Sequence, residues 1–254
     1  MATWDPTQYL RFSDHRLRPA IDLLGRVDHP GPRRVWDLGC GAGGPTALLA
    51  ARWPRASITG VDSSPDMLEK ARAEHPDIEW IRGDIEGWAP DEPADIVYSN
   101  AAIHWLDDHQ TLVPHLFRQL APGGLLAIQM PRNHSEPSHQ RLYETAMSTR
   151  WADRVGDLVR ESPVAPPHVY HSMLRPIATS VDVWETIYQQ ELTGDDAVAN
   201  WTKGSVVRPF LDALGADGDE FFRDYAARLE EDYPTGPDGT TLFSFRRVFV
   251  VAKR

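Results

Sequence analysis

Apolar residues along this chain follow three successive patterns. Up to residue 26 they recur at helical spacing (Tyr9, Leu10, Phe12, Leu17, Ile21, Leu23, Leu24), which predicts helix over 5–26 with Pro19 as an interruption. From Arg33 short apolar runs alternate with helically spaced segments. They predict strands at 33–38, 57–61, 78–82, 94–99 and 125–129, and helices at 45–53, 65–74 and 108–120. Ser64 and Pro65 supply an N-cap and a first helical residue for the second of these helices, and Ala121-Pro122-Gly123-Gly124 stops the third. Beyond Met130 the alternation ends. Prolines at 131, 137, 163, 166, 167 and 176 punctuate helices expected near 138–148 and 167–174. A strand over 181–192, two or three helices up to Tyr233, a turn at 234–239 and a closing strand over 241–252 complete the chain. Strands alternating with helices imply right-handed crossovers and a mostly parallel sheet covered on both faces, here of seven strands: an α/β fold.

The densest signal is Val35-Trp36-Asp37-Leu38-Gly39-Cys40-Gly41-Ala42-Gly43-Gly44, a strand running into a glycine turn and then a helix. Glycines let a backbone approach a ligand closely, and a helix amino terminus presents unpaired N–H groups. Gly39, Gly41 and Gly44 also satisfy the dinucleotide pattern G-x-G-x-x-G, so the turn alone leaves NAD and S-adenosylmethionine both open. Asp62, 18 residues after Gly44, ends the second strand where a carboxylate accepts from ribose hydroxyls in either class. Asp84 closes the third strand, placed to accept from an adenine amino group. Asp37 puts a negative charge beside the turn, which suits a methionine ammonium and repels a pyrophosphate. Taken singly, Asp62 and Asp84 also fit turn or cap roles. Their occurrence in order at successive strand ends favours the methyl donor.

Composition narrows the classes. The 254 residues are 41% hydrophobic and 25% charged, in keeping with one globular domain. No apolar run reaches the roughly 18 residues of a membrane span, and the start lacks the pattern of a secretory signal. A single cysteine, Cys40, excludes an internal disulfide and fits a cytoplasmic protein; a small side chain in a crowded turn is its expected role. The net charge of −11 argues against general nucleic-acid binding.

Asp37-Leu38-Gly39-Cys40-Gly41-Ala42-Gly43, Gly60-Val61-Asp62-Ser63-Ser64-Pro65-Asp66-Met67, Gly83-Asp84-Ile85 and Ala121-Pro122-Gly123-Gly124 resemble, in order, the motifs of class I S-adenosylmethionine-dependent methyltransferases. Four further stretches narrow the resemblance to the trans-aconitate 2-methyltransferase family across nearly the whole chain: Trp4-Asp5-Pro6-Thr7-Gln8-Tyr9, residues Tyr98 to Leu106, Gln129-Met130-Pro131 and Glu230 to Pro234. The resemblance implies a Rossmann-like methyltransferase domain over 1–254. Its expected parts are a helical cap (1–30), a cofactor core (31–131), a helical substrate lid (132–180 and 193–238) and final strands (181–192 and 241–252). It implies S-adenosyl-L-methionine as cofactor, with Asp37, Gly39 and Gly41 in the loop and the Gly39 carbonyl near the methionine ammonium. Asp62 maps to the ribose acid, Ser63 and Met67 to the adenine flanks, Asp84 and Ile85 to the adenine, and Asn100 to the ammonium. Two positions depart from the pattern: Ala42, where many members carry proline or threonine, and His104, at a variable position.

The reaction so implied is methyl transfer to one carboxylate of a tricarboxylate. A carboxylic acid with a reference pKa of about 4 is ionised at neutral pH, so no catalytic base and no metal is expected. Alignment and exclusion of water are the requirements. Tyr9, Phe12, His104 and Trp105 are candidates to wall the pocket, although core packing explains Trp105 equally well. Arginines suit the carboxylates that do not react. Arg132 and Arg208 are the best placed in sequence, Arg18, Arg11 and Arg16 are further candidates, and His134, Tyr143 and Tyr170 are weaker hydrogen-bond donors. Arg246 and Arg247 are neighbours in the last strand, so at most one points inward. The expected partner is a small tricarboxylate, without nucleic acid or membrane, and the expected state is a monomer. Other readings are a methyltransferase of another small acid or acyl-carrier substrate, a non-catalytic cofactor-binding module, and an NAD-dependent oxidoreductase.

Overall fold

A computed structural model describes residues 17–254; the expectations at Tyr9, Arg11, Phe12 and Arg16 lie outside them. In chain order the elements are α1 (Arg18–Gly25), β1 (Arg34–Leu38), α2 (Gly44–Arg52), β2 (Ser57–Asp62), α3 (Pro65–Glu74), β3 (Glu79–Arg82) and β4 (Ala94–Asn100). Then come α4 (His109–Arg118), β5 (Leu120–Pro131), α5 (Pro137–Ala146), α6 (Ala152–Val155) and α7 (Pro167–Leu174). β6 (Ser180–Thr193), α8 (Ala197–Lys203), α9 (Arg208–Leu214), α10 (Gly218–Leu229) and β7 (Thr240–Lys253) end the chain. The seven strands form one sheet in the order β3-β2-β1-β4-β5-β7-β6. The pairs among β1 to β5 are parallel, and β7 runs antiparallel to β5.

Of the helix expected over 5–26 only the part from Arg18 lies within the described residues; the other expected elements are present, with α6 in addition. Pro19 sits in the first turn of α1, where its missing N–H has no intrahelical acceptor to lose; the stretch before it, which the expected interruption also concerns, lies outside the described residues. The helix expected to reach 120 ends at Arg118, and Leu120 already pairs with Ala94. The register then shifts and resumes as Leu125 opposite Ile96, so the Ala121-Pro122-Gly123-Gly124 stretch is an irregularity inside β5.

The chain divides into two compact units. The first takes the described residues up to Pro131, with Pro163–Thr186 and Arg247–Arg254; the second takes Arg132–Ser162 and Ile187–Arg246. The core of the first unit joins strand residues Leu38, Val97, Ile128 and Val250 to Val113, Leu116 and Phe117 of α4. It also includes Tyr170 and Leu174 of α7, so this helix, expected in the lid, packs within the first unit. The second unit has a core of its own around Leu142, Trp151, Phe210, Phe221, Tyr225 and Phe243, with Phe210 and Phe221 stacked at 5.7 Å between ring centroids. No described helix is long and apolar enough to cross a membrane.

Candidate active site

In a parallel sheet, ligands bind at the carboxyl ends of the strands, where the strand order reverses. Here that place is the end of β1, flanked by β2 and β4: Asp37 pairs in register with Gly60 on one side and Tyr98 on the other. Asp37 is 1% exposed, and its Oδ2 accepts a hydrogen bond from Thr46 Oγ1 at 2.6 Å. Burial pushes its carboxyl up to about 7; the Thr46 hydrogen bond opposes this and the charge of Asp62 adds to it.

Two glycines of the turn have different reasons to be glycine. Both have positive φ, +76° at Gly39 and +55° at Gly41. A Cβ on Gly39 would fall 2.1 Å from Ala102 Cβ and 3.4 Å from Ile85 Cδ1, so a side chain is excluded by the protein itself. A Cβ on Gly41 would meet nothing within 4 Å. There the backbone faces open space, as a close-approaching ligand requires. Asp62 holds this geometry. One carboxylate oxygen accepts from the Gly41 amide at 2.8 Å and the other from the Ser64 amide at 2.9 Å. Each oxygen keeps acceptor capacity for a further donor such as a ribose hydroxyl.

Ser64 caps α3 by accepting from the Met67 amide, and leaves Ser63 and Met67 exposed at the helix start. Asp84 lies two residues beyond the end of β3, not within it. Its Oδ1 accepts from the Glu86 amide at 3.1 Å in a tight turn, and the residue is exposed. Asn100 ends β4 with its side-chain Oδ1 buried and without a hydrogen-bond partner. The next residue, Ala101, takes the left-handed conformation at φ +53°, and its amide donates to the Gln129 carbonyl at 2.9 Å. An unpaired buried acceptor and a strained non-glycine residue at one strand end are characteristic of ligand sites. The cofactor residues expected from the sequence are thus gathered at one edge of the first unit. The open face of Gly41, the spare acceptor capacity of Asp62 and the unpaired Asn100 Oδ1 fit S-adenosylmethionine.

The expected substrate residues are not gathered in the same way. In the first unit, His104 and Trp105 lie on a short 3₁₀ turn after β4, with ring centroids 4.7 Å apart. Trp105 is 56% exposed, which rules out core packing. Arg18 lies on the outer side of α1, 4.0 Å from Asp22. Tyr170 must be withdrawn as a substrate donor, because it is fully buried and its hydroxyl is engaged on both sides. It accepts from the Ala165 amide at 3.1 Å and donates to His109 Nδ1 at 2.7 Å, while His109 Nε2 donates to the Ile103 carbonyl at 2.9 Å. In the second unit, Arg132 is half-buried just after β5, its amide bonded to the Arg246 carbonyl. Arg208 stands on the outside of α9, its side chain 70% exposed and 3.5 Å from Asp212 one turn on, so the structure gives it a solvated role.

A family described as methyltransferase domain matches residues 35–124. A trans-aconitate 2-methyltransferase of Azoarcus sp. is 45% identical over 255 residues, covering 100% of both chains. One of Streptomyces coelicolor is 46% identical over 264 residues, covering 99% of this chain and 87% of its own. The chain belongs to the trans-aconitate 2-methyltransferase family. Among solved structures, the YcgJ protein of Bacillus subtilis aligns with a TM-score of 0.57 at 17% identity, over 94% of this chain and 99% of its own. A putative methyltransferase of Bacillus halodurans gives 0.58 at 17% identity, over 92% and 97%. These two likenesses bear on the fold alone.

Three residues of interest carried no site role in the sequence reading. Thr46, buried in the first turn of α2, holds Asp37, and neither its burial nor this bond shows in the sequence. Gln129, a fully buried amide in the apolar run of β5, accepts from Arg247 Nη1 at 3.1 Å. Arg246 turns the other way and pairs with Glu136 at 2.8 Å, as neighbours on a strand must. The third, Arg160, lies in an irregular segment with no periodicity to single it out.

Proposed function

We propose that the protein transfers a methyl group from S-adenosylmethionine to one carboxylate of trans-aconitate, forming a monomethyl ester. The observation that carries this reading is the reach of the family relationship. The methyltransferase-domain match stops at residue 124, whereas 45% identity to the Azoarcus enzyme extends over the whole chain. The shared sequence therefore includes the second unit and not only the portion common to methyltransferases at large.

S-adenosylmethionine, when bound, supplies a methyl group already activated on a sulfonium. The chain's own residues have the task of holding and orienting. Asp62 receives the ribose hydroxyls while its bond to the Gly41 amide keeps the turn open. Asp84 and Ile85 serve the adenine, with Ser63 and Met67 at its flanks. Asp37, Asn100 and the Gly39 carbonyl face the ammonium. The acceptor carboxylate is ionised at neutral pH, so the site needs no general base. His104 and Trp105 wall the acceptor side, and exclusion of water there makes the carboxylate a better nucleophile. Arg132 and Arg18 remain candidates for the carboxylates that do not react. We further infer a monomer acting in the cytoplasm on a small tricarboxylate and not on nucleic acid or membrane. The net charge of −11 and the single cysteine support that reading.

The test is incubation with methyl-labelled S-adenosylmethionine and a panel of tricarboxylates, amines and phenols. Label is expected in a base-labile ester of trans-aconitate. Transfer to an amine or phenol, with none to trans-aconitate, would overturn the proposal.

A further inference from the structure

The second unit contains an open cavity of about 470 Å³, inside the range of small-molecule sites, roughly 300–1,000 Å³. Three hydrogen-bond donors from three parts of the unit meet on its wall: His134 just after β5, Tyr143 on α5, and Arg160 in the segment after α6. The Arg160 guanidinium is near enough to act on both of the others. Burial lowers the His134 imidazole and the Arg160 charge lowers it further; burial raises the Tyr143 hydroxyl and the same charge opposes the rise. His134 and Tyr143 are therefore a neutral imidazole and a neutral phenol beside a permanent cation. His134 Nδ1 is buried without a hydrogen-bond partner, and its ring packs on His139 at 4.9 Å between centroids. His139 is itself held neutral by burial and by His134, at about 3.

A buried polar nitrogen without a partner costs stability unless something outside the protein completes it. A guanidinium fork beside neutral donors is the arrangement that recognises a carboxylate. Glu161 lies on the same wall next to Arg160. With one arginine balanced by one glutamate, the wall suits a singly charged carboxylate group better than a polyphosphate. We propose that this cavity binds one carboxylate group of a small polycarboxylate, with Arg160 as its charge partner and Tyr143 and His134 as neutral donors. The identity of that ligand as the methyl acceptor rests on the function proposed above; the pocket itself does not.

Calorimetry on the protein saturated with S-adenosylhomocysteine, with trans-aconitate and citrate as probes, tests this directly. Arg160 is exposed in an irregular segment, so Arg160→Gln should leave the fold intact, which an unchanged Tm checks. It should weaken polycarboxylate binding by tenfold or more, and Tyr143→Phe by about threefold. Arg223→Gln, an exposed control on α10, should leave binding unchanged, and S-adenosylmethionine affinity should stay constant throughout. If KM for trans-aconitate rises in parallel with little change in kcat, the ligand is the acceptor. If binding weakens while KM does not move, the cavity is a polycarboxylate site for an effector. If the wild type binds trans-aconitate through Arg160 but does not methylate it, the proposed function fails and the pocket stands. Unchanged affinity for both probes in Arg160→Gln and Tyr143→Phe would overturn the inference.

Discussion

The carboxylate of Asp62 accepts the amide of Gly41 at 2.8 Å, so the residue expected to bind the cofactor's ribose also shapes the turn beneath it. Its second oxygen takes the Ser64 amide, tying the glycine turn to the start of α3. Asp62→Ala removes both backbone bonds and the proposed ribose acceptor together and should lower S-adenosylmethionine affinity by at least about 100-fold. Asp62→Asn keeps one acceptor oxygen and should lose about tenfold. Titration calorimetry of the two variants checks the order; equal affinities in wild type and Asp62→Ala would remove Asp62 from the site.

With Asp37 at the cofactor's ammonium, as proposed, cofactor binding should depend on pH. Its carboxyl, raised to about 7 by burial, is half protonated at neutral pH, and only the ionised form pairs with an ammonium. The ratio of wild-type to Asp37→Asn affinity should therefore rise about tenfold from pH 6 to pH 8 and level off above; taking the ratio cancels the cofactor's own titrating amine. Thr46→Val removes the one hydrogen bond that lowers this pKa and should move the rise to higher pH. The ligand-free protein should show the opposite trend in stability. The folded state keeps its proton up to about 7, whereas the unfolded chain releases it near 3.8. The contribution of Asp37 is thus fully present below that lower value and is lost as pH rises through this window. Chemical denaturation at pH 4 and pH 7, compared with Asp37→Asn, reads the difference.

Alanine at two neighbouring glycines should separate folding from binding. Gly39→Ala places a methyl 2.1 Å from Ala102 Cβ and should lower Tm markedly, with loss of soluble protein. Gly41→Ala meets no protein atom, so its stability cost should be limited to left-handed strain of about 1–2 kcal/mol. Its methyl occupies the open face of the turn, and S-adenosylmethionine binding should be lost. Tight cofactor binding by Gly41→Ala would show that the ligand does not approach this amide.

The Tyr170 hydroxyl joins α7 to His109 and, through it, to the carbonyl of Ile103 in the turn that carries His104 and Trp105. Tyr170→Phe leaves His109 Nδ1 and the Ala165 amide without a partner inside the core. It should cost about 1–3 kcal/mol in urea unfolding, while the folded protein retains cofactor affinity. A selective loss of acceptor affinity without loss of stability would instead return Tyr170 to the site.

The first half of the chain was legible because its signals are local. A strand, its turn and the next helix are contiguous at Val35 to Arg52, and the acids at 37 and 62 fall at strand ends that periodicity places. Pairing across the fold was not legible. Nothing in the spacing joins Thr46 to Asp37, since that bond depends on how α2 lies against β1. Periodicity marks Tyr170 and Tyr143 alike as helical, yet one is sealed in a core and the other lines a cavity. Arg208 looked suitable beside Val207 and Pro209, but the helix turns it outward toward Asp212. Arg160 sits among residues without period or motif, and only tertiary packing brings it to His134 and Tyr143.

Cys40 gives the glycine turn a chemical temperament. Burial pushes its thiol far up, and the charges of Asp37 and Asp62 push it further, so the thiolate that reacts with oxidants and alkylating agents scarcely forms. The side chain that looks most reactive in the cofactor turn is thereby kept as an unreactive thiol. Cys40 in the folded protein should therefore resist iodoacetamide at neutral pH, read as unmodified thiol by mass spectrometry.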